Sequence, residues 1–401
     1  MKKLTLLIFS FVLILLYACN NKHKTNTKDT DNIGLKCINI DVNTIKPIRL
    51  KNIFKSLSYT RLETRKNSLI GVITKIIIYK NRIYISDNNN KIFIFSKTGK
   101  LINSIYENGR GPGEYVFFRD FAIDKINAEL ILTEQGLLKF LYYDLNGVFH
   151  KEEPFKERFS KFFVKNNFIY LFADNTTNIG NSISVNDNLI ITSKDLKYYS
   201  SFFPIPKSKM DYGLYGIQPF SEFDNKLSLL MPYTDTVIFI SPDTVSPRYY
   251  FDYGKNKVPY DVFKSVETNI PGRMRVIINK FNKMLENGYA YSSKNFLETY
   301  STIVFKFVYR GIQSVFYSKT SETIYISKNF INDIDHIPYK PPIAATDSEF
   351  VSVLEPADII EHYKKIKDKY PAKELRTIKQ LVDSITEFDN PILVFAKTKP
   401  F

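Results

Sequence analysis

The chain has 401 residues, 56 Lys and Arg against 41 Asp and Glu, a formal charge of +15, and two cysteines. A 44% hydrophobic and 15% aromatic content supplies a sizeable core and excludes global disorder, and two cysteines exclude a disulfide scaffold. Zero Trp and 15 Gly argue against arrays that need a Trp-Asp or Gly-rich signature in each repeat, while the charge raises nucleic acid or an acidic membrane surface as partners.

Lys2 and Lys3 open the chain, and residues 4–18 are apolar apart from Thr5 and Ser10. That run is shorter than the roughly 20 residues of a bilayer span and has the pattern of a signal peptide. It ends in Leu16-Tyr17-Ala18-Cys19, which looks like a bacterial lipobox, with Cys19 as the lipid-attachment residue. The reading is a signal peptide over 1–18, a flexible polar tether over 19–35, and a membrane partner through the N-terminal lipid. An uncleaved hydrophobic anchor is the alternative. Lipidation of Cys19 leaves Cys37 without a disulfide partner in the chain, as a small partly buried hydrophobe.

From residue 36 onward, β-branched and aromatic runs of five to eight residues alternate with Asn, Asp, Gly and Lys turns, the signal of short antiparallel strands. Runs at 72–79, 82–86, 91–95 and 100–106 form one four-stranded meander. Others follow at 118–153, with an Asn146-Gly147 hairpin turn, and at 161–203, 216–253 and 296–330. The sixth has 342–346, 349–354 and 391–397, and lacks an outer strand that 36–42 or 57–63 can supply. Tyr84, Ile131, Tyr170, Leu229, Phe305 and Val351 mark the second strand of each set. The predicted fold is all-β: one six-bladed β-propeller of four-stranded antiparallel blades over 36–401, with a β-sandwich as the alternative. Helical insertions are expected at about 261–295, from a stripe in 273–287 ended by Gly288, and at 356–387. The second insertion reads as two helices, the latter with Pro371 in its first turn.

The lipobox, Ile-Tyr-Ile-Ser-Asp (83–87), Gly-Arg-Gly-Pro-Gly-Glu-Tyr (109–115), Tyr-Thr-Asp-Thr-Val (233–237) and Asp-Asn-Pro-Ile-Leu-Val (389–394) together resemble the six-bladed β-propeller lipoproteins of Bacteroides-type bacteria, relatives of NHL-repeat propellers. The resemblance covers nearly the whole mature chain. It implies a propeller and a cell-envelope location, and no defined activity. No acidic cluster follows Cys19; in such lipoproteins that cluster marks export to the outer face, so an outer-membrane lipoprotein facing the periplasm is expected.

Segment 109–115 reads either as a ligand loop at the channel mouth, with Arg110, Glu114 and Tyr115 as candidate ligand-binding residues, or as a rigid connection between blades. It is no P-loop, since no Gly-Lys-Ser/Thr follows. First strands line a propeller channel, which adds Arg119, Asp120 and Glu298, and the loop entering blade six adds Asp333, Asp335 and His336. No cofactor is expected. If those carboxylates converge, calcium is the alternative, as in related propeller hydrolases and lyases. No Gly-x-Ser-x-Gly, His-Glu-x-x-His or Cys-x-x-Cys occurs. Lysines are scattered through turns, without the concentrated stripe that nucleic-acid binding requires. The functional expectation is a binding or scaffolding module for a protein, peptide or glycan at a channel mouth, with a calcium-dependent hydrolase or lyase of the NHL-like propeller type as the alternative.

Overall fold

The computed structural model describes residues 34–134, 136–155, 157–176, 178, 186–206, 218–232, 234–259, 262, 279 and 282–401. Two short strands come first, β1 (Lys36–Asn39) and β2 (Ile48–Arg49), followed by the eight-residue β3 (Phe54–Arg61). Blade 1 is β4 (Ile73–Tyr79), β5 (Arg82–Asp87), β6 (Ile92–Ser96) and β7 (Leu101–Ile105). Blade 2 is β8 (Phe118–Asp124), β9 (Glu129–Glu134), β10 (Lys139–Asp144) and β11 (Phe149–Pro154). Blade 3 is β12 (Lys161–Lys165), β13 (Phe168–Phe172), β14 (Asp187–Ser193) and β15 (Tyr198–Pro204). Blade 4 is β16 (Phe220–Phe223), β17 (Lys226–Leu230), β18 (Thr236–Ile240) and β19 (Val245–Asp252). Blade 5 is β20 (Tyr291–Glu298), β21 (Thr302–Val308), β22 (Ile312–Ser318) and β23 (Ile324–Ser327), and β24 (Phe330–Ile331) then pairs with β2. Blade 6 has β25 (Ala344–Ala345) and β26 (Glu349–Leu354), then the helices α1 (Pro356–Ile366) and α2 (Arg376–Val382), and β27 (Ile392–Thr398).

This is a six-bladed β-propeller of four-stranded antiparallel blades. The six residues expected to mark second strands all lie on them, and all are buried. Tight hairpins come from paired residues that tolerate positive φ: Lys80-Asn81, Asn166-Asn167 and Asp224-Asn225. Six apolar clusters each sit between two successive blades, because a sheet buries its faces against its neighbours, and a seventh packs the helical insertion on blade 6. Phe251 of blade 4, for example, stacks on Phe305 of blade 5 with centroids 3.7 Å apart. The sixth interface closes the ring, where Val351, Leu393 and Phe395 of blade 6 meet Ile83, Ile85 and Phe93 of blade 1.

Closure uses the N-terminal chain. β3 is the outer strand of blade 6, paired with β27 from Arg61↔Ile392 to Phe54↔Thr398. The competing segment goes elsewhere: β1 adds in parallel to β19 on the rim of blade 4. Between them, Lys46 N donates to Ile326 O of blade 5 at 3.2 Å. Residues 36–61 therefore run as a belt over three successive rims and cover edges that invite association. Gly99 completes the closure. Its φ is +85°, and a Cβ there would lie 1.9 Å from Arg61 O.

Strand direction gives the two ends of the ring different characters. All innermost strands run the same way, so connections to each new blade and those between second and third strands lie at one end. That end carries every long connection: 62–72, 106–117, 173–186, 205–219, 253–290, 328–343 and 355–391. The opposite end carries short turns. α1 has Pro356 in its first turn and buries Ile359 and Ile366 with Leu375 and Ile378 against Leu354, Ile392 and Val394 of blade 6. The second helix starts later than expected, at Arg376. Pro371 instead opens a turn, its carbonyl accepting from Glu374 N at 2.9 Å. Most of the helix expected over 273–287 lies outside the described residues; residues 282–286 are helical, and Gly288 (φ +68°) ends them. The leader, Cys19 and nearly all of the tether also lie outside the described residues. Among the described residues, no helix is long and apolar enough to cross a membrane.

Asp235, from the 233–237 motif, precedes β18 and is held up to about 6 by burial. Asp252 adds to the rise, while Lys257 and hydrogen bonds from Ser292 oppose it. An unfolded Asp titrates near 3.9. The folded protein thus keeps a proton that the unfolded chain has released. The group costs nothing below about pH 4 and its full penalty above about pH 6. Asp235→Asn is expected to raise stability at pH 7.5 by on the order of 1–2 kcal/mol and to leave it unchanged at pH 4. Urea unfolding at both pH values checks this; an equal effect at the two would refute the assignment.

Candidate functional site

The innermost strands of all six blades enclose a central cavity of about 380 Å³. Lys75 of β4 lines it, the one charged residue of that strand. Its Nζ donates to Asp120 Oδ1 at 2.9 Å and to Phe121 O at 2.6 Å, and Lys161 stands 3.6 Å from the same Asp120 oxygen. Burial pushes the Lys75 ammonium below its ordinary value, Lys161 pushes the same way, and Asp120 pulls back. Asp120 Oδ2 also accepts from Phe162 N at 3.1 Å, so this carboxylate ties three blades together. Toward the short-turn end, Glu222 of β16 receives Lys165 of blade 3 at 2.6 Å and Lys125 of blade 2. Burial works to raise Glu222, yet the two lysines hold it below the ordinary carboxylate range. At the long-connection end, Gln218 Nε2 of blade 4 reaches Thr74 O of blade 1 at 3.4 Å, across the channel.

The residues singled out from sequence do not form one group. Asp120 is the third residue of β8, whereas Glu298 is the last of β20, so the two stand toward opposite ends of the ring. Glu298 is fully buried between blades 4 and 5. Its Oε2 meets Arg248 Nη1 at 2.8 Å, and its Oε1 accepts from Arg248 Nη2 (2.9 Å), Tyr249 Oη (3.0 Å) and Lys319 Nζ (3.0 Å). Asp333 accepts from Lys51 N at 3.0 Å and Asp335 from Tyr59 Oη at 2.7 Å, so both hold the belt in place. His336 lies 3.5 Å from Glu374, with its ring against Tyr370, and joins this loop to the helical insertion. Arg119 borders a separate cavity of about 20 Å³ with Glu134 and Glu157. Among the described residues, no three His, Cys, Asp or Glu side chains are arranged to hold a metal ion.

Segment 109–115 has the geometry of a rigid connection. Glu114 accepts from Gly111 N at 2.7 Å, and Gly113 N donates to Glu152 at 3.0 Å. Gly113 has φ +77° and packs against the Phe149 ring, where a Cβ would sit 3.1 Å from ring carbons. Tyr115 is buried, and its hydroxyl donates to Asn90 O or Ile105 O (2.8 and 3.1 Å). Arg110 alone of the segment's three candidates projects into solvent.

Two other motifs acquire structural roles. Asp87 ends β5 and accepts from Gly71, Asn89 and Lys91 N–H groups; Glu134 ends β9 and accepts from Phe117 N and Leu137 N. An acid at the end of a second strand thus ties the chain just before the first strand of the same blade, in two successive blades. Asn390 binds the closing segment: Nδ2 donates to Glu63 O (2.8 Å) and Ser68 O (2.6 Å), and Oδ1 accepts from Ile70 N (2.9 Å). Sequence reading missed Lys75, Lys161 and Glu222, and had Asn390 only as a member of the 389–394 motif, without its role. The lone lysine of β4 was the one visible signal among the three charged residues.

No curated protein matches the chain. The crystal structure of a "Putative exported protein" from Bacteroides fragilis aligns over 91% of this chain and 100% of that one, with a TM-score of 0.71 at 16% identity. A DUF4221 family member from Bacteroides vulgatus aligns over 86% of this chain and 97% of that one, with a TM-score of 0.51 at 11% identity. These likenesses confirm the fold. Residues 35–397 match the family described as "Domain of unknown function (DUF4934)", and the chain belongs to that family.

Proposed function

We propose that the protein is a lipid-anchored envelope module that binds or scaffolds a partner through the end of the ring carrying the long connections. One observation carries the reading: every long connection leaves that end, and the opposite end holds only tight turns. Connections on a rigid scaffold are where propellers and other β-folds place recognition, because they vary without disturbing the core. The lipobox supplies the anchor, and the exported Bacteroides fragilis neighbour supports an envelope address.

The anchor is tested by Cys19→Ser. The variant is expected to leave the membrane fraction and lose its acyl label, and a variant still anchored and acylated refutes the lipobox. The binding face is tested by in-cell photo-crosslinking from two exposed positions, Phe388 on the long-connection end and Ile126 on the short-turn end. Discrete adducts are expected from Phe388 and not from Ile126. Adducts from Ile126 alone, or from neither position, overturn the assignment.

A further inference from the structure

β1 runs parallel to β19, from Lys36↔Tyr249 to Asn39↔Asp252, and β19 climbs from the short turn 241–244 toward the long-connection end. The chain before β1 therefore enters the body from the short-turn end. A second contact fixes the same point: Lys36 Nζ bonds Glu322, which stands in the short turn 319–323 between β22 and β23. Gly34, two residues earlier, is exposed, with open space where a Cβ would project. Residues 20–33 separate it from Cys19. A coil of that length averages about 20 Å from end to end. That is close to the depth of a seven-residue strand such as β4, at about 3.3 Å per residue. Bringing the long-connection end onto a bilayer would take the chain up the full height of the rim and past connections such as 355–391. The short-turn end needs no such excursion.

The inner turns at that end are two to four residues long in all six blades, which makes a level face. Two of them carry an exposed apolar tip, Ile126 in blade 2 (58% exposed) and Tyr300 in blade 5 (64%), three blades apart and so across the ring from each other. Both are held outward. Asp124 Oδ1 accepts from Ile126 N at 3.0 Å and Asn127 N at 3.1 Å. Tyr300 N donates to Asp347 O at 2.8 Å, and its ring meets Phe223 edge-on at 5.3 Å. A tyrosine suits a headgroup boundary, where an apolar body and a polar tip are both served. Exposed charges on the inner turns are mixed, Lys80 and Lys125 against Asp224 and Asp347, so no acidic block repels anionic headgroups.

We infer that the short-turn end of the ring rests on the membrane that holds the anchor, with Ile126 and Tyr300 at the headgroups. The inference rests on the lipid anchor proposed above and gives it a direction: the long connections point away from the bilayer.

The test uses the lipidated full chain in vesicles of phosphatidylethanolamine and phosphatidylglycerol, with benzoylphenylalanine placed singly at Ile126, Tyr300 or Phe388. Flotation first establishes anchorage. On illumination, phospholipid adducts read by mass spectrometry are expected from the Ile126 and Tyr300 positions, and several-fold fewer from Phe388. The wild-type chain gives a second reading that needs no variant. Acetylation of Lys80 and Lys125, exposed on the inner turns, should slow several-fold on vesicles relative to detergent, while that of Lys66 and Lys373, exposed in long connections, stays unchanged. Floating protein that labels lipid as strongly from Phe388, labels it from no position, or shows all four lysines slowed alike overturns the orientation and leaves the anchor standing. Protein that fails to float overturns the anchor, and the orientation with it.

Discussion

Glu298→Ala is expected to destabilise the propeller by about 3–5 kcal/mol, as when a buried ion pair loses one partner. The carboxylate has no exposed surface and is bound on both oxygens by Arg248 and on one by Lys319, whose side chains are 11% and 22% exposed. Truncation leaves two largely desolvated cations at the interface between blades 4 and 5, and strips Tyr249 Oη of its acceptor. Lys319 retains Thr299 O and the face of the Phe223 ring, and Arg248 retains a contact to Ser228 Oγ. These keep the loss within that range. Glu298→Gln keeps the shape and some acceptor capacity, so it should cost clearly less. Urea unfolding ranks the two, and a loss below about 1 kcal/mol for Glu298→Ala would contradict the described role.

Asn390→Ala is expected to cost about 1–3 kcal/mol, since Ser68 O, which is buried, and Ile70 N lose their partner while Glu63 O keeps only the Ser68 hydroxyl. Ile70 N, Glu63 O and Ser68 O all belong to the connection that carries the chain from the closing strand β3 into blade 1. The loss should be local before it is global. Limited proteolysis is expected to cut within 62–72 in the variant while the other blades stay protected. Uniform protection of that connection would show that the amide is dispensable.

The sequence carried the blades more readily than the site. Second strands such as 130–132 and 303–305 are uninterrupted apolar runs, because both of their faces are covered by neighbouring blades, and that pattern survives without any partner in view. The outer strand of blade 6 was less legible. Residues 36–42 and 57–63 both have strand character, and only the geometry of closure assigns the first to the rim of blade 4 and the second to β27. The site residues were legible as charged groups on inner strands and in one loop, but not as to whom they face. Asp120 answers to Lys75 and Lys161 on the two flanking blades, and Glu298 to Arg248 on the blade before. Such pairings join residues that nothing in local spacing connects. Asn390 was visible only as part of a motif, because an amide that satisfies three backbone groups has no signature beyond its own identity.

The belt has a consequence for the order of folding. Arg61 and Ile392 are neighbours in one sheet, so blade 6 cannot be completed until almost the whole chain exists. Blades 1 to 5 build from contacts close in sequence, while the last interface pays the loop-closure entropy of nearly the full length. Until that moment β27 offers a bare edge, and residues 54–61 are a loose strand of matching register. A second chain at the same stage carries the same pair. The hazard of this architecture is therefore exchange of the closing strand between two molecules, and it rises with the concentration of chains that are almost finished.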